Sequence, residues 1–124
     1  DDISLTLEDG SAVSVPDFTK TDQPEWAGET AGYQVAGSAD DDFLITYIPA
    51  DAYGAQAQFL ISLATEPLGE TRKKAEVALR SKLDLPDTEL CGLDAQVWTS
   101  DDVNAAFSGR DLGLSFCPEA TVLP

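Results

Sequence analysis

Two cysteines, Cys91 and Cys117, stand in a chain of 124 residues that contains no histidine. That pair restricts fold and chemistry more than any other feature. A structural zinc site takes four ligands, mostly thiolate and imidazole, and two thiols do not fill it. The spacing is not C-x-x-C, so the thioredoxin-like redox motif is missing. A cysteine nucleophile normally needs a histidine to draw off its proton. A structural disulfide or a pair of buried thiols remains, and we read the pair as a disulfide. Cys91 and Cys117 lie 26 residues apart. A loop of that length is stabilised by about 3.5 kcal/mol in the chain-entropy treatment, a large share of a small domain's stability. The bond also clamps the terminal stretch "LGLSFCP", which would otherwise fray. It implies an extracytoplasmic address in an oxidising compartment: periplasm, cell surface or medium.

Charge narrows the partners. Lys and Arg number 7 against 23 Asp and Glu, for a net charge of −16. Residues 1–66 carry thirteen acids and one base, Lys20. Five of the other six bases, Arg72, Lys73, Lys74, Arg80 and Lys82, fall within eleven residues. Such a field repels phosphate backbones and anionic membrane surfaces, so neither nucleic acid nor direct membrane insertion is expected. No apolar run is long enough to span a bilayer. The chain starts at Asp1 and reads as a mature or trimmed product, which leaves open whether a signal or anchor once stood upstream.

Periodicity supplies the elements. "ISLTLEDGSAVSV" alternates on both sides of Asp9-Gly10, a two-residue turn signal, and predicts a β-hairpin. "YQVAG" predicts a short strand. "FLITYI" is apolar on both faces, as a central strand is. "AQFLISLA" is a strand with Phe59, Ile61 and Leu63 on one face. The period then changes, and residues 67–83 predict the main helix. Thr65 is its expected cap, with Pro67 in its first turn. Leu68, Ala75, Leu79 and Leu83 form its apolar stripe, and Glu76 faces Arg72 and Arg80 at i±4. "LPDTELCGL" predicts a short second helix opened by Pro86 and closed by Gly92. "AQVWT" is a strand, "DDVNAAFSG" a turn of helix or a loop, and "LGLSF" the last strand. The expected fold is α+β: one domain over 1–124, with an antiparallel sheet of five to seven strands, the main helix on one face, and one disulfide. Its acidic, β-rich part covers residues 1–66, and the helix with the C-terminal strands covers 67–124.

The run "FLISLATEPLGETRKKAEVALRSKLDLPDTELCGLDAQVW", with "GRDLGLSFCP" after it, resembles a family of short, uncharacterised bacterial envelope or secreted proteins. The shared marks are an "EPL…R…AE…L" helix, a cysteine-bearing second helix and the "LGLSFCP" ending. The likeness covers residues 59–118. It implies a secreted or anchored location and this architecture, and no activity.

Few constellations carry chemistry. Asp40, Asp41 and Asp42, and Asp101 with Asp102, are the densest carboxylates and the candidates for a calcium site, although neither run follows the EF-hand pattern. Asp101 and Asp102 equally suit the cap of a short helix beginning at Val103. No nucleophile elbow, P-loop or dinucleotide motif is present, and no catalytic residue is assigned. Arg72, Lys73, Lys74 and Arg80 offer a basic helix face that can meet an acidic partner, including the N-terminal half of a second copy. Trp26 and Tyr53, in loop-like stretches, are candidates for an exposed recognition patch. The expected function is a non-catalytic envelope or surface domain acting through protein–protein contact or self-association. The alternatives are a calcium- or cation-stabilised binding module and a small hydrolase using a carboxylate pair.

Overall fold

The structure, a computed structural model, describes residues 2–18, 33–38, 41–49 and 57–124. Alternation in the first of these segments does what it predicts. Strand β1 (Asp2–Thr6) pairs antiparallel with β2 (Ala12–Pro16), in register Leu5↔Val13 and Ile3↔Val15. Leu5, Val13 and Val15 turn inward and are buried, while Ser4, Thr6 and Ser14 face out. The turn is one residue longer than the Asp9-Gly10 signal suggests. The Leu7 N–H donates to the Ser11 carbonyl at 2.8 Å, so three residues, 8–10, make the reversal. Gly10 takes φ +90°, which closes this longer turn and which a side chain resists. The Asp9 carboxylate accepts from the Ser11 N–H at 2.9 Å and from its hydroxyl at 2.6 Å.

A second sheet has the order β3-β4-β5-β6, with β3 at Tyr33–Gly37, β4 at Phe43–Ile48, β5 at Gln58–Leu63 and β6 at Ala95–Thr99. Ile45, Ile61 and Val97 align across β4, β5 and β6, and Tyr47 aligns with Phe59. These side chains share the buried face. Leu44 and Thr46 of β4 are buried on the opposite face, which buries β4 on both sides, and the strand lies inside the sheet. The sheet is not wholly antiparallel, contrary to expectation. β5 and β6 run parallel, because two helices intervene and carry the chain back to the end where β5 began. Alternation reports which face a residue occupies and is silent on strand direction.

Helix α1 (Leu68–Leu83) covers the core face of this sheet. Leu68, Ala75 and Leu79 are fully buried and Leu83 nearly so. Each leucine so placed contributes about 1.5–3 kcal/mol relative to exposure. Thr65 does not cap the helix. The N-cap position belongs to Pro67, and the Thr65 carbonyl instead accepts from the Thr71 hydroxyl at 2.9 Å. Helix α2 (Asp87–Cys91) lies between Pro86 and Gly92 as predicted. Helix α3 (Asp101–Asn104) begins two residues earlier than expected, with Ser100 at its N-cap. Asp101 and Asp102 are therefore its first residues and not its cap.

The expected last strand does not form. Within 112–116 only Leu112 reaches β6, its N–H donating to the Val97 carbonyl at 2.7 Å. Gly113 then adopts φ +77° and turns the chain away. Residues 111–124 continue as an irregular tail, yet Leu112 and Leu114 are buried. One hydrophobic cluster joins residues of both sheets, α1, α2 and this tail. Among the described residues no helix is long and apolar enough to cross a membrane.

Candidate functional site

The stretch "TRKKAEVALRSK" winds once per 3.6 residues and therefore sends its charges in two directions. Arg72 and Glu76 fall on the side of Leu68, Ala75 and Leu79, and both are buried, at 6% and 2% exposed. Lys73, Lys74, Val77, Ser81 and Lys82 fall on the solvent side. Each set has its own task.

The inward pair holds the tail. Arg72 Nη1 donates to the Thr121 carbonyl at 2.8 Å, to Gly113 at 3.3 Å and to Leu112 at 3.4 Å. Glu76 accepts the Ser115 N–H through Oε2 and the Ser115 hydroxyl through Oε1 at 2.6 Å. Burial pushes the Arg72 guanidinium below its usual range, and the Glu76 carboxylate opposes that push. Arg72 Nε finds no acceptor among the described residues. Arg72 is therefore not a surface contact, contrary to expectation: a guanidinium buried and surrounded by carbonyls of its own chain is not offered to a partner. Both arginines feel the Glu76 carboxylate, but its hydrogen bonds go to Ser115.

Arg80 is partly exposed and also engaged. Its Nε meets Asp87 Oδ1 at 2.8 Å, and its guanidinium lies 4.4 Å from the centre of the Phe116 ring. The hydrogen bond that Arg80 donates to Asp87 pushes the Arg80 pKa up. Arg80 thus ties α1 to α2 and to the tail. Lys74 pairs with Asp42 at 3.1 Å, both well exposed, and Lys73 remains on the open surface.

The disulfide joins Cys91, the last residue of α2, to Cys117 in the tail. It lines an open depression of about 770 Å³ that also receives Glu8, Asp94, Asp111 and Glu119. Asp111 is occupied structurally: its Oδ1 accepts from the Val97 and Gly113 N–H groups, each at 2.9 Å. A smaller groove of about 340 Å³ runs between the first turn of α1 and residues 120–124. The Gly69 N–H donates to the Pro124 carbonyl at 2.8 Å there. A Cβ on residue 69 would stand 2.7 Å from that oxygen, so only glycine admits the contact.

The acidic runs do not converge. Asp41 is exposed, and Lys74 holds the Asp42 carboxyl below its ordinary value chiefly through their hydrogen bond. Asp101 accepts from the Ser108 hydroxyl, and Asp102 is exposed. Among the described residues no three Asp, Glu or Cys groups are arranged to hold a metal ion. Asp40, Trp26 and Tyr53 lie outside the described residues.

Sequence reasoning did not separate the inward charges from the outward ones, although a signal was available. Positions 72 and 76 continue the apolar stripe formed by 68, 75, 79 and 83. An opposite-charge i,i+4 pair set within a buried stripe must find polar partners inside the fold. Compared with protein-family models, with curated proteins and with solved structures, the chain matches none.

Proposed function

We propose that this chain is a non-catalytic extracytoplasmic domain of a bacterial cell envelope or surface. In this reading it acts through protein–protein contact as one component of a surface assembly. The observation that carries the reading is the Cys91–Cys117 disulfide, which anchors a tail that has no strand of its own. A bond on which a tail depends persists only where thiols stay oxidised. The use of charge supports the contact role. The buried charges among the described residues, Arg72 and Glu76, are committed to the chain's own tail. The outward bases of α1 are left on an open helical face.

The address is tested by maleimide labelling of the chain in untreated cells that produce it. Neither sulfur should react before reduction, and free thiols at both positions would remove the extracytoplasmic assignment. The contact role is tested in the same cells with a photo-crosslinker in place of Val77 and, as control, of Ser62 on the other side of the sheet. A discrete adduct is expected from position 77 alone. Adducts from neither position, or equally from both, would end the reading of α1 as a contact face.

A further inference from the structure

The exposed large apolar side chains among the described residues are Val77, 63% exposed, and Val122, 88% exposed. Both lie beside Lys73. Lys73 lines the smaller groove together with Pro67, Glu70, Val122 and Leu123, and it stands one turn before Val77 on α1. Lys73 and Lys82 are exposed and have no ion-pair partner among the described residues. In a chain of net charge −16, this is a basic face with an apolar centre.

The β1–β2 hairpin has the complementary character. Its outward residues Ser4, Thr6, Ala12 and Ser14 are small and exposed, which leaves a flat surface. Asp2 stands at one end of it, and Glu8 and Asp9 at the other. Residues 1–18 contain no base. The six steps from Asp2 to Glu8, the last of them entering the turn, span at most about 20 Å. The nine steps from Lys73 to Lys82 span about 14 Å of helix, and the lysine arms reach beyond both ends. Cations can therefore meet both acidic rims with Val77 seated on the small residues between them.

We infer that the outer face of α1 docks on the β1–β2 face of a second copy, head to tail. The inference rests on the protein-contact reading above and names its partner. The two surfaces differ, so the contact repeats into a ring or a filament instead of closing as a symmetric pair. The charge of the whole chain shapes the salt response. Copies of charge −16 repel at long range in dilute salt, where the screening length is about 30 Å at 0.01 M; it falls to about 8 Å at 0.15 M and 3 Å at 1 M. At the intermediate value the bodies are screened from each other while contact pairs still attract. Association is greatest there and falls on either side.

Sedimentation equilibrium of the intact, oxidised chain, from about 1 μM to 1 mM at those three ionic strengths, tests this. The expected result is a mass that rises with concentration, most steeply near 0.15 M. Lys73→Glu/Lys82→Glu and Asp2→Lys/Glu8→Lys should each weaken association at least about tenfold, since like charges then face each other. An equimolar mixture of the two should associate again. A restored mixture also shows that both variants are folded. A monomer at 1 mM and 0.15 M overturns the inference. So does association that grows steadily up to 1 M salt, or that ignores both reversals. None of these outcomes touches the labelling and crosslinking results, which judge the parent reading separately.

Discussion

Residues 1–66 and residues 67–124 end differently, and the contrast shows what a chain does when its ladder runs out. In the first part the polar backbone is satisfied by neighbouring strands: β1 by β2, and β4 by β3 and β5. In the second part the last 14 residues, 111–124, form no strand, and only Leu112 bonds to one through its backbone. Buried backbone groups still need partners, and side chains join a few scattered backbone bonds in supplying them. Arg72 takes three carbonyls, Glu76 takes Ser115, and Asp111 takes two N–H groups. The disulfide adds a covalent tie at Cys117. A ladder spreads its support over many equivalent bonds. The tail concentrates its support on a few residues, so single substitutions should harm it more.

Arg72→Ala tests that contrast hardest. It leaves Glu76 buried without its neighbouring cation and takes a donor from three carbonyls, of which, among the described residues, Leu112 alone keeps another, the Thr121 N–H. Removing one partner of a buried charged network costs about 3–5 kcal/mol, read from the urea midpoint. A loss below about 1 kcal/mol would mean that the tail does not depend on Arg72. Cys91→Ala/Cys117→Ala comes next, with an expected loss of about 3.5 kcal/mol from loop closure. Amide exchange separates it from a general weakening: residues 111–124 should exchange faster, with β1–β2 little changed. Val15→Ala removes two methyl groups from a fully buried position in the hairpin. It should cost about 1–3 kcal/mol as a cavity and speed exchange in β1–β2 while sparing the tail. If either variant loosens both regions equally, the two parts are one cooperative unit and the contrast fails.

The same contrast explains what could be read in advance. The strands at 33–37, 58–63 and 95–99 announce themselves by apolar residues at period 2, that at 43–48 by an apolar run, and α1 by its stripe at 68, 75, 79 and 83, because burial is a local demand that leaves its mark on the pattern. The disulfide followed from elimination, since two lone cysteines without histidine have few other uses. "LGLSF" misled because Leu112 and Leu114 alternate like a strand. Their burial is real, but past the Leu112 N–H, which reaches β6, no ladder follows: the bonds come from within the tail and from α1, some forty residues away in sequence. Alternation records burial and carries no information about which groups satisfy the backbone. The basic helix face was legible as composition and illegible as geometry. Only the winding of α1 shows that Arg72 turns in and that Lys73 and Lys82 turn out.

The smallest expected effect lies at the hairpin turn, where the ladder region itself uses a side chain. The Asp9 carboxyl is held below its ordinary value of 3.8, first by the Ser11 hydroxyl and then by the Ser11 N–H. A carboxyl whose folded pKa is depressed adds stability above its unfolded pKa and loses it as pH falls through the folded one. Asp9→Ala should therefore lower Tm slightly at pH 7, and the gap from the unaltered chain should shrink below about pH 3.8 and close in stronger acid. Thermal melts of both chains at pH 7, 4 and 2.5 check it. Asp9 is fully exposed and sits in a turn closed independently by the Leu7–Ser11 bond and by Gly10. Its removal should leave the β1–β2 register intact, whereas removal of Arg72 should release the tail. A gap at pH 7 as large as that of Arg72→Ala would mean that the hairpin also hangs on one side chain, and that the two regions do not differ in kind.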